Sequence, residues 1–272
     1  MRCLYVDLDG TLLGPRASLL TGADDRFSLL GVRALEACAR ADVEVVIYSG
    51  RRKQSVFEAA RLIGSSAFIF EIGCGLVLDG ELEWLTDGLE PSPERGTIYD
   101  QIEASGAPAL LLERYPGALE YHLPWAANRE VSHLFRGLVE LPEANAVLAE
   151  AGLESLRLVD NGVVLAVNEQ MPGLPAIHAY HLIPAGASKA RGVARHMQAR
   201  GYAREDVIAV GDSREDMEAA SVVGTFWLVA NALERDLTLE AEASGRLRVR
   251  LADESYGAGV YEAVVTTLAE RR

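Results

Sequence analysis

The chain has 272 residues, of which 49% are hydrophobic and 24% charged, and its formal net charge at pH 7 is −14. This length is enough for one large core or for two modest domains. No uninterrupted apolar run approaches the ~20 residues that span a bilayer, and no basic region followed by an apolar one opens the chain. We therefore expect a cytoplasmic protein with no signal peptide and no membrane partner.

The negative charge is concentrated in the middle of the chain. Residues 81–183 contain 5 Arg, no Lys and 16 Asp plus Glu, so this segment carries −11 of the net charge. Such a segment would repel a phosphate backbone, so nucleic acid is not an expected partner, and a solvated acidic surface explains the charge itself. The three cysteines, Cys3, Cys38 and Cys74, are widely separated, which favours buried reduced thiols over a disulfide framework or a zinc site.

Both ends of the chain alternate between strand-like and helical patterns. In the first 80 residues, strands are predicted before Asp7, at 43–48 and at 67–70, and helices at 29–41 and 53–63. After residue 186, helices are predicted at 188–200 and from Glu215, and strands at 207–210 and 226–230. Such alternation is typical of a parallel sheet that is covered by helices.

The middle of the chain has a different, antiparallel pattern. Helices are predicted at 94–105 and 129–151, and strands at 109–113, 118–123, 153–159, 163–168 and 178–183. Asp160-Asn161-Gly162 separates two of these strands, and Asn-Gly is the strongest short indication of a hairpin. The predicted fold is therefore α/β: a Rossmann-like parallel sheet core from 1–80 and 184–272, with an inserted α+β (αββαββ) domain at 81–183.

Four short motifs lie where predicted strands end or predicted helices begin. They are Asp7/Asp9, Ser49-Gly50-Arg51, Ser188-Lys189 and Gly211-Asp212-Ser213-Arg214-Glu215-Asp216. Alone, each has a structural explanation, as an Asp-Gly turn, a helix N-cap, a solvated lysine or acids in the first turn of a helix. Ligands of open parallel sheets bind outside the carboxyl ends of the strands, and three of the motifs lie at such ends. Their common placement therefore favours one functional site.

In this order, the motifs resemble those of haloacid dehalogenase superfamily phosphohydrolases with a type II subclass B cap. Similar members are sucrose-phosphate phosphatase, mannosyl-3-phosphoglycerate phosphatase and the Cof-type sugar phosphatases. The resemblance covers essentially the whole chain, including Asp7-Leu8-Asp9-Gly10-Thr11 and a Gly-Asp-Ser-x-x-Asp element that ends at Asp216. It implies a phosphatase core and a cap that selects the substrate.

The resemblance also implies a role for each matching residue. Asp7 would be the nucleophile and Asp9 the general acid and base. Phosphate would be bound by Ser49, by Lys189 and by the backbone around Gly10 and Thr11. Mg²⁺ would be bound by Asp7, Asp212 and the backbone carbonyl of Asp9, with Asp216 as a direct or an outer ligand. Gly50, Arg51 and Asn231 are further candidates for substrate contact.

Physical chemistry supports these roles. Several carboxylates that converge on a phosphate would repel it and one another, so a cation is required. Oxygen ligands favour Mg²⁺ over zinc, and no His or Cys lies within the motifs. Asp9 must be protonated for part of the cycle, so we expect a crowded, partly dry site that raises its pKa.

Two motif positions differ from the pattern of the family. Glu215 stands where relatives usually have Asn, and we expect it to pair with Arg214 or to turn outward. Glu71-Ile72-Gly73-Cys74 stands where relatives often have Glu-Asn-Gly-Ala, so one polar substrate contact is in doubt. Hinges are expected near 79–88 and 170–186. Candidates for substrate contact in the inserted domain are Arg114, His122, Trp125, Arg129 and Arg157.

The predicted function is a Mg²⁺-dependent phosphatase of a small phosphorylated metabolite, a sugar phosphate or a phosphorylated hydroxy acid, which works through an aspartyl-phosphate. One alternative is a phosphomutase or phosphotransferase that resembles the phosphomannomutases. Another is a phosphorylation-controlled binding protein, although response-regulator receivers lack a counterpart of Asp9 and an inserted cap. The sequence does not indicate an oligomeric state.

Overall fold

The computed structural model describes residues 1–164, 171 and 173–271, and its strands form two sheets. The strands are β1 (Cys3–Val6), β2 (Glu44–Tyr48), β3 (Ala67–Phe70), β4 (Gly75–Leu78), β5 (Glu81–Trp84), β6 (Leu119–Tyr121), β7 (His133–Gly137), β8 (Leu156–Val163), β9 (His178–Pro184), β10 (Val207–Gly211), β11 (Thr225–Leu228) and β12 (Val249–Leu251). The helices are α1 (Leu30–Arg40), α2 (Lys53–Ile63), α3 (Ile98–Ala104), α4 (Ala107–Arg114), α5 (Leu141–Glu150), α6 (Lys189–Arg200), α7 (Arg214–Met217), α8 (Ala230–Arg235), α9 (Thr238–Gly245) and α10 (Tyr256–Glu270).

The larger sheet has the order β12-β11-β10-β1-β2-β3-β4-β5. Its strands run parallel from β12 to β3, while β4 and β5 are antiparallel. Successive side chains of a strand point to opposite faces. Accordingly, Cys3 and Tyr5 of β1 pack in the cluster that contains α6, and Leu4 and Val6 pack in the cluster that contains α1. The predicted parallel sheet with helices on both faces is confirmed.

The register of the central strands brings three motifs together. Val6 at the end of β1 pairs with Ile47 of β2 and with Val210 of β10. Since these strands are parallel, the chain leaves all three at the same edge of the sheet, immediately before Asp7, Ser49 and Asp212. This edge is where the candidate site lies.

The smaller sheet is antiparallel, with the order β6-β7-β9-β8, and its core includes side chains from α3, α4 and α5. We call residues 98–184 the insertion. The predicted α/β core with an inserted α+β unit is therefore the observed fold. The predicted boundary at residue 81 differs from the pairing in one respect, because β5 is the edge strand of the larger sheet. The division into two domains stays a prediction.

Several local predictions within the middle segment are wrong. Residues 109–113 form part of helix α4, since a short apolar run has no periodicity that separates helix from strand. The predicted helix at 129–151 contains strand β7 before α5 begins. Asn161-Gly162 lies inside β8, at a shift of register between Asp160 and Val163, and does not form the turn of a hairpin. The second strand of that hairpin falls largely on residues outside the described part of the chain.

The antiparallel hairpin of β4 and β5 was not predicted. Its turn is Asp79-Gly80, and both residues have positive φ, 52° and 89°. Two-residue hairpin turns favour this conformation, and Asp-Gly is one of the pairs that adopts it. The preference of Asn-Gly and Asp-Gly for two-residue hairpin turns therefore holds at Asp79-Gly80, although it gave a wrong prediction at Asn161-Gly162.

Cys3, Cys38 and Cys74 are all buried and unpaired, as predicted. Among the helices of the described residues, none combines the length and the apolar character that crossing a membrane requires.

Candidate active site

Asp7 and Lys189 form the buried centre of the candidate site. Asp7 follows β1 and is 5% exposed, and Lys189 is the first residue of α6 and is 1% exposed. The Nζ of Lys189 donates to Oδ1 of Asp7 at 2.9 Å and to Oδ1 of Asp216 at 2.6 Å. Burial alone would lower the pKa of Lys189, but Asp216 and Asp7 outweigh it and raise that pKa. The lysine is therefore charged. Ser188 caps α6 by accepting from the backbone N–H of Arg191. The explanation of this serine as a helix N-cap is therefore also correct.

Three carboxylates meet next to this lysine. Oxygen atoms of Asp7, Asp212 and Asp216 lie within 4.8 Å of one another. Burial raises the pKa of Asp7 well above its usual value, against the opposing effect of Lys189, and burial raises that of Asp212 to about 6. Ionising all three therefore requires added positive charge. An oxygen-only cluster of this kind fits Mg²⁺, which prefers hard carboxylate ligands.

Asp212 and Asp216 are held in place by hydrogen bonds. Asp212 accepts from the Thr11 hydroxyl at 2.9 Å and from Arg235 at 2.7 Å. Oδ2 of Asp216 accepts from two backbone N–H groups and from the Ser213 hydroxyl, which caps α7. These contacts leave Oδ1 of Asp216 to Lys189. The predicted Thr11 thus positions a carboxylate, and Arg235 is a residue that the sequence analysis did not find.

Gly10 turns the chain after Asp9 with a φ of +88°, which strongly favours glycine, and a Cβ there would overlap Asp212. Its carbonyl accepts from the Asn231 side-chain amide at 2.8 Å, and Oδ1 of Asn231 accepts from the backbone N–H of Tyr256 at 2.7 Å. Asn231 is 1% exposed. Its amide therefore holds the Gly10 turn against the start of α10, and substrate contact by this residue stays a prediction.

Asp9 does not lie in the crowded, dry site that we expected. Its side chain is 53% exposed, and its two oxygens each accept a hydrogen bond from Arg51 at 2.5 Å. Leu8 between the two aspartates is buried. Solvent reaches Asp9 because the chain has already left the sheet at Gly10, while Asp7 is still enclosed by α6 and β10. The predicted Arg51 thus contacts the candidate general acid.

Ser49 and Gly50 lie between the core and the insertion. Ser49 is 2% exposed, and its Oγ accepts from the backbone N–H of Arg51. The carbonyl of Gly50 accepts from Arg129 of the insertion at 2.5 Å. A Cβ at Gly50 would lie 2.8 Å from Nδ2 of Asn161 and 3.2 Å from Nε2 of His181. The insertion therefore packs directly on this predicted phosphate-binding loop.

Among the described residues, Glu71 makes the most extensive polar contact between the core and the insertion. It follows β3, is fully buried, and has a φ of +46°. Its oxygens accept from the backbone N–H groups of Glu130, Val131 and Ser132 at 2.9, 3.1 and 2.6 Å, and from the Ser132 hydroxyl at 2.9 Å. The buried Arg129 guanidinium lies 3.6 Å away. We call these interactions the Glu71 contact.

The Glu71 contact also determines the tautomer of His181. The single proton of the Ser132 hydroxyl points to the carboxylate, so the Ser132 oxygen must accept from Nδ1–H of His181, 3.1 Å away. Burial, together with the charges of Arg129 and Lys189, lowers the pKa of His181 well below its usual value. His181 is therefore neutral, and its Nε2 presents a bare acceptor toward Gly50.

Glu215 neither pairs with Arg214 nor turns outward, so that expectation is wrong. Arg214 instead pairs with Asp236 and Glu242. Glu215 is 5% exposed, accepts from the backbone N–H of Lys189 and lies 3.7 Å from Arg157 of the insertion. Burial raises its pKa to about 7, against the opposing effects of Arg157 and the Lys189 N–H.

The other three residues suggested in the insertion lie elsewhere. Arg114 forms a surface pair with Glu143, and Trp125 is 66% exposed. His122 is partly buried, with no hydrogen-bond partner for its Nδ1 among the described residues. Besides Arg235, the sequence analysis missed Asn161 and His181 as site residues, and it named Glu71 only as part of a motif. Asn161, His181 and Glu71 lie where the insertion meets the core, for which no local pattern exists.

Known proteins resemble the chain in sequence. A family profile described as haloacid dehalogenase-like hydrolase matches residues 176–239. A phosphoglycolate phosphatase of Halorubrum lacusprofundi is 28% identical over 230 residues, which cover 84% of each chain. The chain is therefore similar in sequence to haloacid dehalogenase-like hydrolases, most of all in residues 176–239. The resemblance inferred from the four motifs is thereby confirmed.

Solved structures share the fold of this chain. The sucrose-phosphatase of Synechocystis sp. PCC6803, solved with sucrose and phosphate, aligns over 98% of both chains with a TM-score of 0.66 and 16% identity. A sugar phosphatase described as subclass IIB aligns over 100% of this chain and 98% of that one, with a TM-score of 0.61 and 15% identity. Both alignments include the insertion as well as the core.

Proposed function

We propose that this hydrolase is a Mg²⁺-dependent phosphatase of small phosphorylated metabolites that works through a phosphoryl group on Asp7. The predicted enzyme class, a phosphoric monoester hydrolase, agrees with the family and with the phosphatase names of its relatives. The observation that carries the proposal is the buried Lys189, which contacts Asp7 and Asp216 at the edge where Asp212 and Ser49 also lie.

In the first step, a carboxylate oxygen of Asp7 attacks phosphorus. The ester P–O bond breaks and its electron pair leaves on the alcohol oxygen, which takes a proton from Asp9. Lys189 and the hydroxyl of Ser49 bind phosphoryl oxygens, on which charge is spread in the transition state. Mg²⁺ bound by Asp7, Asp212 and Asp216 would neutralise further charge on those oxygens.

In the second step, water attacks the phosphorus of the acyl phosphate. Asp9 accepts the proton of that water, the bond between phosphorus and the Asp7 oxygen breaks, and inorganic phosphate leaves. Arg51 holds Asp9 in the structure. Substrate binding must therefore exchange part of this ion pair for a contact between Asp9 and the leaving oxygen.

The substrate class follows from the relatives and from the position of the insertion. The relatives include phosphoglycolate phosphatases and, by fold, a sucrose-phosphatase. The insertion contacts Gly50 and Glu215 beside the site. We infer that it acts as a cap over the phosphate-binding loop, and that the substrate is a sugar phosphate or a phosphorylated hydroxy acid.

The proposal is tested by phosphate release from 2-phosphoglycolate and a panel of sugar monophosphates, before and after Mg²⁺ is added to metal-free protein. We expect activity only with Mg²⁺ and none in Asp7→Asn. Asp9→Asn should slow turnover by ~10²-fold or more.

Asp42→Asn is the matched control, because Asp42 is exposed and its φ of +54° is one that Asn readily adopts. This variant should keep full activity. Full activity in Asp7→Asn would show that Asp7 is not the nucleophile. Turnover without any divalent ion would show that the reaction does not need the metal.

A further inference from the structure

A second group of potential metal ligands lies at the opposite edge of the larger sheet. Cys3 begins β1, Glu44 begins β2, and His196 lies two turns into α6. The amino ends of parallel strands share one edge, so this group is separated from Asp7 by the length of β1. One ligand atom from each of the three residues lies within 4.8 Å of the others.

An unpartnered atom points into this group. His196 is fully buried, and its Nε2 has no hydrogen-bond partner among the described residues. It lies 3.7 Å from Oε1 of Glu44, which is too long for a hydrogen bond but is close to the separation of two ligands on one tetrahedral ion. A buried polar atom without a partner is costly unless something else satisfies it.

Neighbouring side chains orient the group as the outer partners of a metal site do. The Tyr5 hydroxyl lies 2.8 Å from Nδ1 of His196, and accepting from Nδ1–H leaves the lone pair on Nε2. The Glu44 carboxylate accepts from Tyr202 at 2.8 Å and from Arg200 at 3.2 Å. Ligating histidines and carboxylates are usually held by such hydrogen bonds.

We propose that Cys3 Sγ, His196 Nε2 and the Glu44 carboxylate bind one borderline-soft divalent ion, Zn²⁺, at a site distinct from the Mg²⁺ cluster. Sulfur and imidazole ligands select zinc, whereas the oxygen ligands at Asp7 select magnesium. Binding releases the thiol proton of Cys3, and the thiolate and carboxylate then balance the two charges of the ion. When the ion takes up the charge of Glu44, Arg200 keeps Asp79 as a carboxylate partner, to which it donates two hydrogen bonds.

Such an ion would link strands β1 and β2 to helix α6, which packs on that face of the sheet. It would enter from the side of Glu44, whose side chain is 19% exposed, while Cys3 and His196 have no exposed surface. The sequence gives no indication of this site, because its ligands are 41 and 152 residues apart along the chain and match no metal-binding spacing.

The test uses Co²⁺ as a spectroscopic probe on full-length, metal-free protein in excess Mg²⁺, which occupies the oxygen-only cluster. We expect one equivalent of Co²⁺ to give a thiolate-to-cobalt charge-transfer band, which only sulfur ligation produces, and Zn²⁺ to remove it. Cys3→Ser should abolish the band, and Glu44→Gln should weaken Co²⁺ binding by about tenfold or more. Cys38→Ser, which changes a buried cysteine outside the group, should leave the band intact.

A measurement on the wild-type protein tests the proposal even if the variants fail to fold. Zn²⁺ should slow alkylation of Cys3 by a thiol reagent, measured by peptide mass spectrometry, and leave that of Cys38 unchanged. Absence of the band in the wild-type protein, its survival in Cys3→Ser, or equal protection of the two cysteines would each overturn the proposal. None of these outcomes depends on phosphatase activity.

Discussion

Replacing Glu71 by Gln should weaken the attachment of the insertion to the core. The carboxylate accepts four hydrogen bonds from residues 130–132 and neutralises the buried Arg129. A glutamine offers one acceptor oxygen, and its amide nitrogen must face an N–H group that it cannot accept from. Arg129, whose side chain is almost fully buried, also loses its counter-charge.

The size of the effect follows from this burial. Breaking a buried pair by removing one partner costs about 3–5 kcal/mol, which corresponds to a fall in Tm of about 10 °C for a protein of this size. We would measure thermal unfolding by circular dichroism and amide hydrogen exchange of residues 130–132. Exchange at these three amides should accelerate more than exchange in the larger sheet.

Glu130→Gln is the matched control, since it makes the same chemical change next to the contact. The Glu130 carboxylate pairs with Lys53 at the surface, where both side chains are about one-third exposed. Such pairs contribute about 0–1 kcal/mol. A Glu71→Gln protein as stable as Glu130→Gln, with unchanged exchange at 130–132, would refute the reasoning.

Three further predictions concern the site. Burial raises the folded-state pKa of Glu215 to about 7, so the wild-type protein loses stability as the pH rises and this carboxyl ionises. In metal-free protein, Glu215→Gln should therefore be as stable as wild type near pH 4.5 and more stable by up to about 3 kcal/mol at pH 8. Measuring the Tm of both proteins as a function of pH tests this. Gly211→Ala, whose Cβ would overlap the side chain of Asp216, a proposed Mg²⁺ ligand, should raise the Mg²⁺ concentration for half-maximal activity by about tenfold, whereas Gly245→Ala, with open space around it, should not. Nitrogen NMR should show Nε2 of His181 unprotonated, and Ser132→Ala should shift that tautomer.

The central part of the site was predictable, because a parallel sheet brings the carboxyl ends of its strands to one edge. Asp7, Ser49 and Asp212 each follow an apolar run, and that local pattern is enough to bring them together. Glu71 of the core contacts the insertion, and His181 of the insertion faces Gly50 of the core, across distances that no local pattern encodes. The exposure of Asp9 was missed for a related reason, since it depends on how far the chain has left the sheet by Gly10.

Three of the four donors to Glu71 are main-chain N–H groups, which every residue except proline supplies. These three hydrogen bonds therefore do not require particular side chains at 130–132, whereas the fourth requires the Ser132 hydroxyl. Substitutions on the other surfaces of the insertion leave these three main-chain hydrogen bonds in place. If the insertion is the cap that we propose, a protein built this way can acquire a new substrate by changing the exposed face of its insertion while it keeps the Glu71 contact.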